Sequence, residues 1–171
     1  RDFSIAEIYP GDAFVCNDAY LAGGTHLPDI SIITPIFYDG KIKFFAACLG
    51  HHADVGGSVP GSISPSAASI FEEGIRIPPV KMVHKGVLDN GIMQMIIQNT
   101  REPEDRLLDL KVQIATNTLG AEQVVALVER MGSKAVDWAC LLYTSPRPRD
   151  QRGSPIQASA LKKKSGGGGG A

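Results

Sequence analysis

Two short clusters of histidine and aspartate have the residue types and spacing best suited to chemistry. The first contains His26 and Asp29, and the second contains His51 and Asp54, so each carries a His-x-x-Asp step. Imidazole nitrogens and carboxylate oxygens together suit a divalent transition ion such as Zn, Mn or Fe. The alternative interpretation is that the histidines bond to nearby carbonyls and the aspartates cap turns.

A β-hairpin is predicted between the two clusters. Residues 30–38 and 41–49 are rich in β-branched and aromatic side chains, and the turn residues Asp39 and Gly40 stand between them. Strands joined by so short a turn have their far ends side by side, and directly opposite residues lie about 4.5 to 5.5 Å apart. Both clusters are therefore expected at the same end of one hairpin.

The register of this hairpin can be predicted residue by residue. A regular two-residue turn places Asp29 opposite Gly50 and Pro35 opposite Phe44. A single bulge would shift this register by one residue without separating the clusters. Pro35 is tolerated if its missing N–H lies at an edge or a bulge. The imidazoles and carboxylates of the two clusters are expected to converge.

Residues beside the clusters have predicted supporting roles. His52 directly follows His51, and adjacent side chains in an extended chain point apart, so His52 is expected to be structural or to support a ligand. Gly56 and Gly57 permit close backbone approach to an anion or an oxyanion, or else form an ordinary surface loop. His84 lies between two lysines and is expected at the surface.

Other signatures of chemistry are absent from the sequence. It contains no GxxxxGK[ST], GxGxxG or GxSxG pattern, so neither a nucleotide loop nor a serine-hydrolase elbow is predicted. Cys16, Cys48 and Cys140 have no CxxC spacing, which predicts neither a disulfide framework nor a thiolate metal site. This cysteine usage favours a reducing, cytoplasmic location.

The composition is that of a globular protein. Of the 171 residues, 43% are hydrophobic and 20% are charged, and there is no apolar run of about eighteen residues that could cross a membrane. Residues 140–171 hold six basic residues and one acidic residue, so residues 1–139 are net acidic. A net acidic globular part argues against nucleic acid as a partner, and without a long apolar run no membrane partner is expected.

Residues 140–171 are expected to form a disordered tail. Apolar periodicity stops there, and three lysines are followed by five glycines, Gly166 to Gly170. The stretch CLLYTSPRPRD resembles translated sequencing-adapter read-through, so we interpret the tail as an artefact, with a natural basic tail as the alternative. No basic region precedes an apolar stretch after Arg1, so we expect no signal peptide, and we expect the chain to be a fragment of a larger subunit.

The remaining elements are predicted to be one short strand and several helices. The strand is expected at residues 13–17 and the helices at residues 66–73, 90–99, 103–119 and 121–131. Ser66 is the expected cap of the first helix, and Gly120 is expected to separate the last two. The predicted fold class is therefore α+β, with the hairpin and the His/Asp site in the amino-terminal half and helices in the carboxyl-terminal half.

Four strings of residues carry a family resemblance. In order along the chain, NDAY, GGTHLPD, GHHADVGG and EEGIRIPP resemble the hydantoinase B / 5-oxoprolinase family, over about residues 3–139. The resemblance implies a hydrolase subunit for ATP-dependent opening of hydantoin, N-methylhydantoin or 5-oxoproline. It also implies a hydantoinase A-type partner that holds ATP, in a cytoplasmic hetero-oligomer. A subunit of an acetone or acetophenone carboxylase is the alternative, and a non-catalytic assembly subunit is a third.

The resemblance also implies roles for individual residues. It implies that a divalent metal ion has ligands from both clusters: His26, Asp29, His51 and Asp54. Asp54 could instead accept a hydrogen bond from a ligand histidine. Our hypothesis for the mechanism is that Asp54 or His52 orients or deprotonates a water, and that the loop of Gly56 and Gly57 donates N–H groups to an oxyanion.

Overall fold

A five-stranded antiparallel sheet forms the centre of the first of two compact regions. The computed structural model describes residues 3–144, and the first region ends at Leu127. The strands are β1 (Ala13–Cys16), β2 (Asp29–Tyr38), β3 (Lys41–His51), β4 (Val80–His84) and β5 (Val87–Leu88). Their order across the sheet is β3-β2-β1-β4-β5. With the helices described below, this confirms the predicted α+β class.

The predicted hairpin is confirmed as β2 and β3. Asp39 and Gly40 both have positive φ angles, 50° and 71°, as a two-residue primed turn requires. Tyr38 pairs with Lys41 as predicted, but the register shifts between Ile36 and Phe37.

This bulge adds one residue to β3 and corrects the predicted register beyond it. Asp29 faces His51 rather than Gly50, and Pro35 faces Phe45 rather than Phe44. The physical reason is that a bulge sets two residues of one strand against one of the other, so every later pair moves by one. The shift brings the first residue of β2 directly opposite the last residue of β3.

One face of the sheet is covered by two helices. These are α1 (Asn90–Ile97) and α2 (Pro103–Met131). The side chain of Asp89 caps α1 by accepting from the N–H of Ile92 at 3.0 Å. The core between sheet and helices includes Val15, Ile30, Ile32, Met82, Met93, Ile96 and Leu110.

The helix α2 is continuous where two helices were predicted. Gly120 lies inside it and does not end it. A glycine within a helix costs about 1 kcal/mol relative to alanine, which good helix formers on both sides readily offset. The helix ends before Gly132, whose φ is 82° and whose N–H donates to the carbonyl of Val128 at 2.8 Å.

The second region contains the helix α3 (Ser133–Thr144). The helix passes through Cys140, so regular structure continues beyond the predicted start of the tail. The rest of the predicted tail, residues 145–171, lies outside the described residues. None of the helices in the described part of the chain is long and apolar enough to span a bilayer.

Shorter predicted elements are found with altered extents. The strand predicted at residues 13–17 is β1, and the helix predicted at residues 90–99 is α1. The helix predicted at residues 66–73 is only a 3₁₀ turn, Ile70–Glu72, capped by Ser69 instead of Ser66. Serine side chains compete for backbone hydrogen bonds, which disfavours a longer helix in this serine-rich stretch. A second 3₁₀ turn, Ile5–Glu7, precedes β1.

Candidate metal centre

Three of the predicted ligands lie close enough to hold one metal ion. The candidate ligand atoms of His26, Asp29 and His51 are all within 4.8 Å of one another. Nδ1 of His51 is 2.9 Å from Oδ1 of Asp29, and Nε2 of His26 is 3.4 Å from its Oδ2. The two imidazole ring centres are 5.0 Å apart. One carboxylate therefore has an imidazole at each of its oxygens.

Strand pairing and a tight turn position these side chains. The register shift sets Asp29 opposite His51. His26 lies in the turn before β2, where its carbonyl accepts from the N–H of Asp29 at 3.2 Å. The hydroxyl of Thr25 donates to Oδ2 of Asp29 at 3.1 Å. Backbone pairing on one side and a turn on the other thus restrict the orientation of the carboxylate.

The group lies on the sheet face that is turned away from the helices. Ile30 and Gly50, the pair next to Asp29 and His51, are on the helix-covered face, because successive side chains of a strand alternate. The side chains of Asp29, His26 and His51 are 17%, 36% and 53% exposed, respectively. An ion and a small substrate could therefore reach this group from solvent.

The carboxyl group of Asp29 is held in its ionised form. The hydrogen bond from His51 lowers the pKa of Asp29, and the Thr25 hydroxyl and the nearby His26 act in the same direction against partial burial. A carboxylate with two imidazoles forms a two-histidine, one-carboxylate donor set, which leaves positions open on a bound ion. This donor set fits the predicted Zn, Mn or Fe and includes no sulfur.

Asp54 does not join this group, which corrects its predicted place in the ligand set. Its Oδ2 is 2.7 Å from Nη1 of Arg101, and it also accepts from the N–H of Gly61 at 3.0 Å. Its Oδ1 accepts from the N–H groups of Gly56 at 2.9 Å and Arg101 at 3.1 Å. Burial raises the pKa of Asp54, but the hydrogen bonds from Gly56 and Arg101 outweigh it and lower the pKa to about 2. Both carboxylate oxygens are thus committed to the loop.

The glycines of this loop are explained by backbone geometry. Gly56 and Gly57 have φ angles of 87° and 82°, and a Cβ on either would lie 2.4 Å from a carbonyl oxygen, of Asn99 or Glu72. Their own carbonyls accept from Arg101 at 3.2 and 2.7 Å. The N–H of Gly56 donates to Asp54, so it is not available to an oxyanion. This corrects the predicted oxyanion role of Gly56.

His52 lies on the opposite side of the strand from His51. It is buried, and its Nε2 is 2.9 Å from Oε1 of Gln113 on α2. Burial lowers the pKa of His52, so the ring is neutral at neutral pH. Its Nδ1 has no hydrogen-bond partner among the described residues. The ring therefore faces the helix, as the alternation of adjacent side chains predicted, and not the metal site, where its alternative predicted role was to act on a water.

Sequence reasoning did not single out the residues that organise the surrounding loops. The side-chain amide of Asn17 donates to the carbonyls of Leu27 at 2.7 Å and Ile75 at 3.0 Å, which fixes the segment next to His26. Asp18 forms an ion pair with Arg76 at 2.7 Å. The strings NDAY and EEGIRIPP contain Asn17, Asp18, Ile75 and Arg76, and their joint occurrence was the available signal.

Fold and site together define an α+β domain with a candidate two-histidine, one-carboxylate centre at the open end of a hairpin. Residues 1–142 match the sequence pattern of the Hydantoinase B/oxoprolinase family. The chain belongs to this family, as its sequence strings predicted.

The chain is similar to named relatives and to solved structures of the same family. It is 44% identical over 134 residues to 5-oxoprolinase 1 of Arabidopsis thaliana. This alignment covers 71% of this chain and 10% of that protein. The structure of the ATP-dependent caprolactamase from Pseudomonas jessenii matches 80% of this chain with a TM-score of 0.71 and 33% identity. A nucleotide-free acetone carboxylase structure matches 75% of it with a TM-score of 0.71 and 26% identity.

The matched region is a small part of each of these proteins. It covers 23% of the matched caprolactamase chain and 17% of the matched acetone carboxylase chain. The chain thus corresponds to one segment of much longer enzyme subunits.

Proposed function

We propose that this chain carries the metal centre of a hydrolase subunit that takes part in ATP-dependent opening of cyclic amides. The observation that carries the proposal is the pair of imidazoles at the two oxygens of Asp29. Relatives named 5-oxoprolinase and caprolactamase support a cyclic amide as the substrate. The substrate class would include 5-oxoproline, hydantoin and N-methylhydantoin.

The residues of the site would each have a defined task. His26, Asp29 and His51 would hold a divalent ion, Zn, Mn or Fe. When bound, such an ion supplies Lewis acidity that polarises a carbonyl oxygen. Asp29 would also keep both imidazoles in place through the two contacts at its oxygens, and Thr25 would restrain that carboxylate by its hydrogen bond. The exposed side of the group would admit the substrate.

A partner subunit and ATP belong to the same proposal. One matched structure is that of an ATP-dependent caprolactamase, and a relative is named the β subunit of caprolactamase. We propose that a hydantoinase A-type subunit holds ATP and activates the cyclic amide. A cytoplasmic hetero-oligomer would give this enzyme access to ATP.

Carboxylation is the second candidate function. The acetone carboxylase structure matches with the same TM-score, 0.71, as the caprolactamase. Hydrolysis is favoured because sequence identity is higher to the caprolactamase structure, 33% against 26%, and reaches 44% for a 5-oxoprolinase. A subunit that serves only assembly is the third reading.

His51→Ala, compared with His84→Ala, tests the proposal. His84 is a surface histidine of β4 that does not belong to the candidate ligand group. Each variant is purified with the A-type partner and its metal content is measured by mass spectrometry. ATP-dependent hydrolysis of 5-oxoproline, hydantoin and caprolactam is then compared with bicarbonate-dependent carboxylation of acetone.

Each outcome assigns one of the functions. We expect His51→Ala to lose metal and hydrolysis together, while His84→Ala keeps both. Carboxylation of acetone without hydrolysis would replace the first function by the second. Unchanged metal content in His51→Ala would show that this group does not bind the metal ion. Loss of the metal with full activity would show that the ion has a structural role only.

A further inference from the structure

We infer that Gln113 of α2 is a positioning residue, which fixes the relative placement of Asp29 and His51 from the other face of the sheet. This role rests on the proposed metal centre, whose ligands the side-chain amide of Gln113 would hold in position. The side-chain amide of Gln113 bonds to Ile30, His52 and Cys48 rather than to these two side chains, so it would act through their neighbours in the strands.

One side-chain amide joins both strands next to the candidate ligands. Nε2 of Gln113 donates to the carbonyl of Ile30 at 3.0 Å, and its Oε1 lies 2.9 Å from Nε2 of His52. Ile30 follows Asp29 in β2, and His52 follows His51 at the end of β3. The amide therefore restrains the strand ends beside both ligands.

The chemistry of the contacts makes an amide the suitable group here. The carbonyl of Ile30 can only accept, so the NH₂ of Gln113 must face it and Oε1 must accept from Nε2–H of His52. A carboxylate cannot donate to the carbonyl of Ile30, and an apolar side chain can neither donate to that carbonyl nor accept from His52. Because His52 is buried, leaving its ring nitrogen without a partner is costly.

Gly50 provides the space that this amide occupies. A Cβ on Gly50 would be 2.8 Å from Nε2 and 2.9 Å from Cδ of Gln113. Gly50 pairs directly with Ile30 and lies between Cys48 and His52 on the same face. The thiol of Cys48 also lies 3.6 Å from the backbone carbonyl of Gln113. Helix and hairpin thus meet closely at the pair of Ile30 and Gly50.

Asn117 offers a matched control one helical turn further on. Its Nδ2 donates to the carbonyl of Ile32 at 2.8 Å and lies 3.4 Å from that of Ala46. It is therefore the same kind of helix-to-hairpin contact, made two residues further from Asp29. A purely structural role would make the two amides equivalent in their effect on the site.

The test compares Gln113→Met with Asn117→Leu, each of which replaces an amide by an apolar group of similar shape. Binding of Zn²⁺ and Mn²⁺ is measured by calorimetry, thermal stability by a melting curve, and the spacing of Asp29 and His51 by cross-strand NOEs. Both variants should melt at a lower temperature. Only Gln113→Met should weaken ion binding, by about tenfold, as supporting residues of metal sites typically do, and weaken the NOEs.

A second variant covers the case in which Gln113→Met does not fold. Gly50→Ala keeps every polar group but pushes the amide of Gln113 aside, so it should cause the same loss of ion affinity and the same NOE change. Unchanged affinity and NOEs in the folded variants, or equal losses in Asn117→Leu, would overturn the inference. A wild-type protein that binds neither ion, nor Fe²⁺ in the same titration, would overturn the proposed metal centre, while the NOEs would still decide the role of Gln113.

Discussion

Asp29 and His51 are direct cross-strand partners whose side chains meet at 2.9 Å between Oδ1 and Nδ1. They are the first residue of β2 and the last residue of β3, and a bulge near the turn brings them into register. The consequence is that backbone pairing, rather than a long loop, sets the distance between two of the three candidate ligands.

Asp29→Asn removes the negative charge of this residue but keeps the shape of its side chain. The amide can still bond to His51, but it lacks the negative charge that attracts a divalent ion. We expect Zn²⁺ affinity to fall by about tenfold or more, since even outer residues of metal sites have effects of this size. Calorimetric titration measures the change, with Asp39→Asn in the hairpin turn as control. Equal affinities in the two variants would contradict the role of Asp29.

The ion pair of Asp54 and Arg101 should make stability depend on pH. Folding lowers the pKa of Asp54 from 3.8 to about 2. The carboxylate therefore stabilises the folded state above about pH 4, and this contribution is lost as the pH falls towards about 2. Asp54→Asn should reduce the free energy of unfolding by about 2 kcal/mol at neutral pH. The difference from wild type should shrink between about pH 4 and 2.

Urea unfolding of both proteins across this pH range tests the prediction. Asp39→Asn serves again as the exposed control. A difference between Asp54→Asn and wild type that stays constant down to about pH 2 would show that the carboxylate is not the stabilising form.

Gly57→Ala and Gly86→Ala should separate backbone strain from crowding. The two glycines have φ angles of 82° and 83°, but only at Gly57 would a Cβ meet backbone, 2.4 Å from the carbonyl of Glu72. Gly86→Ala should cost about 1 to 2 kcal/mol for the left-handed conformation alone. Gly57→Ala should cost clearly more, measured as the shift of the urea midpoint. Equal costs would mean that the loop moves freely away from Glu72.

Gly120→Ala should stabilise the protein, because Gly120 lies within α2 and a Cβ there would meet nothing within 4 Å. The expected gain is up to about 1 kcal/mol from helix propensity. Gly132→Ala should do the opposite, since Gly132 ends the helix with a φ of 82°. Thermal melts of both variants measure these signs. A lower melting temperature for Gly120→Ala would favour the two separate helices that the sequence indicated.

The sequence by itself determined the hairpin, the meeting of His51 with His26 and Asp29 at its open end, and the family. These conclusions depend on local signals, namely the Asp39 and Gly40 turn between two β-rich runs and four ordered strings of residues. Turn chemistry acts over a few residues, so it can be predicted without knowing the rest of the fold. The charge and composition arguments against other classes of protein are equally independent of tertiary structure.

Only the tertiary structure decided which residues share the site. Asp54 follows the same His-x-x-Asp pattern as Asp29, yet it pairs with Arg101, and His52 faces Gln113, 61 residues away in sequence. Such partners depend on where α2 packs and on a one-residue bulge, and neither leaves a periodic or local trace in the sequence. A shift of one residue in the pairing of β2 and β3 changes which side chains lie opposite each other. Small differences in packing therefore select the ligand set.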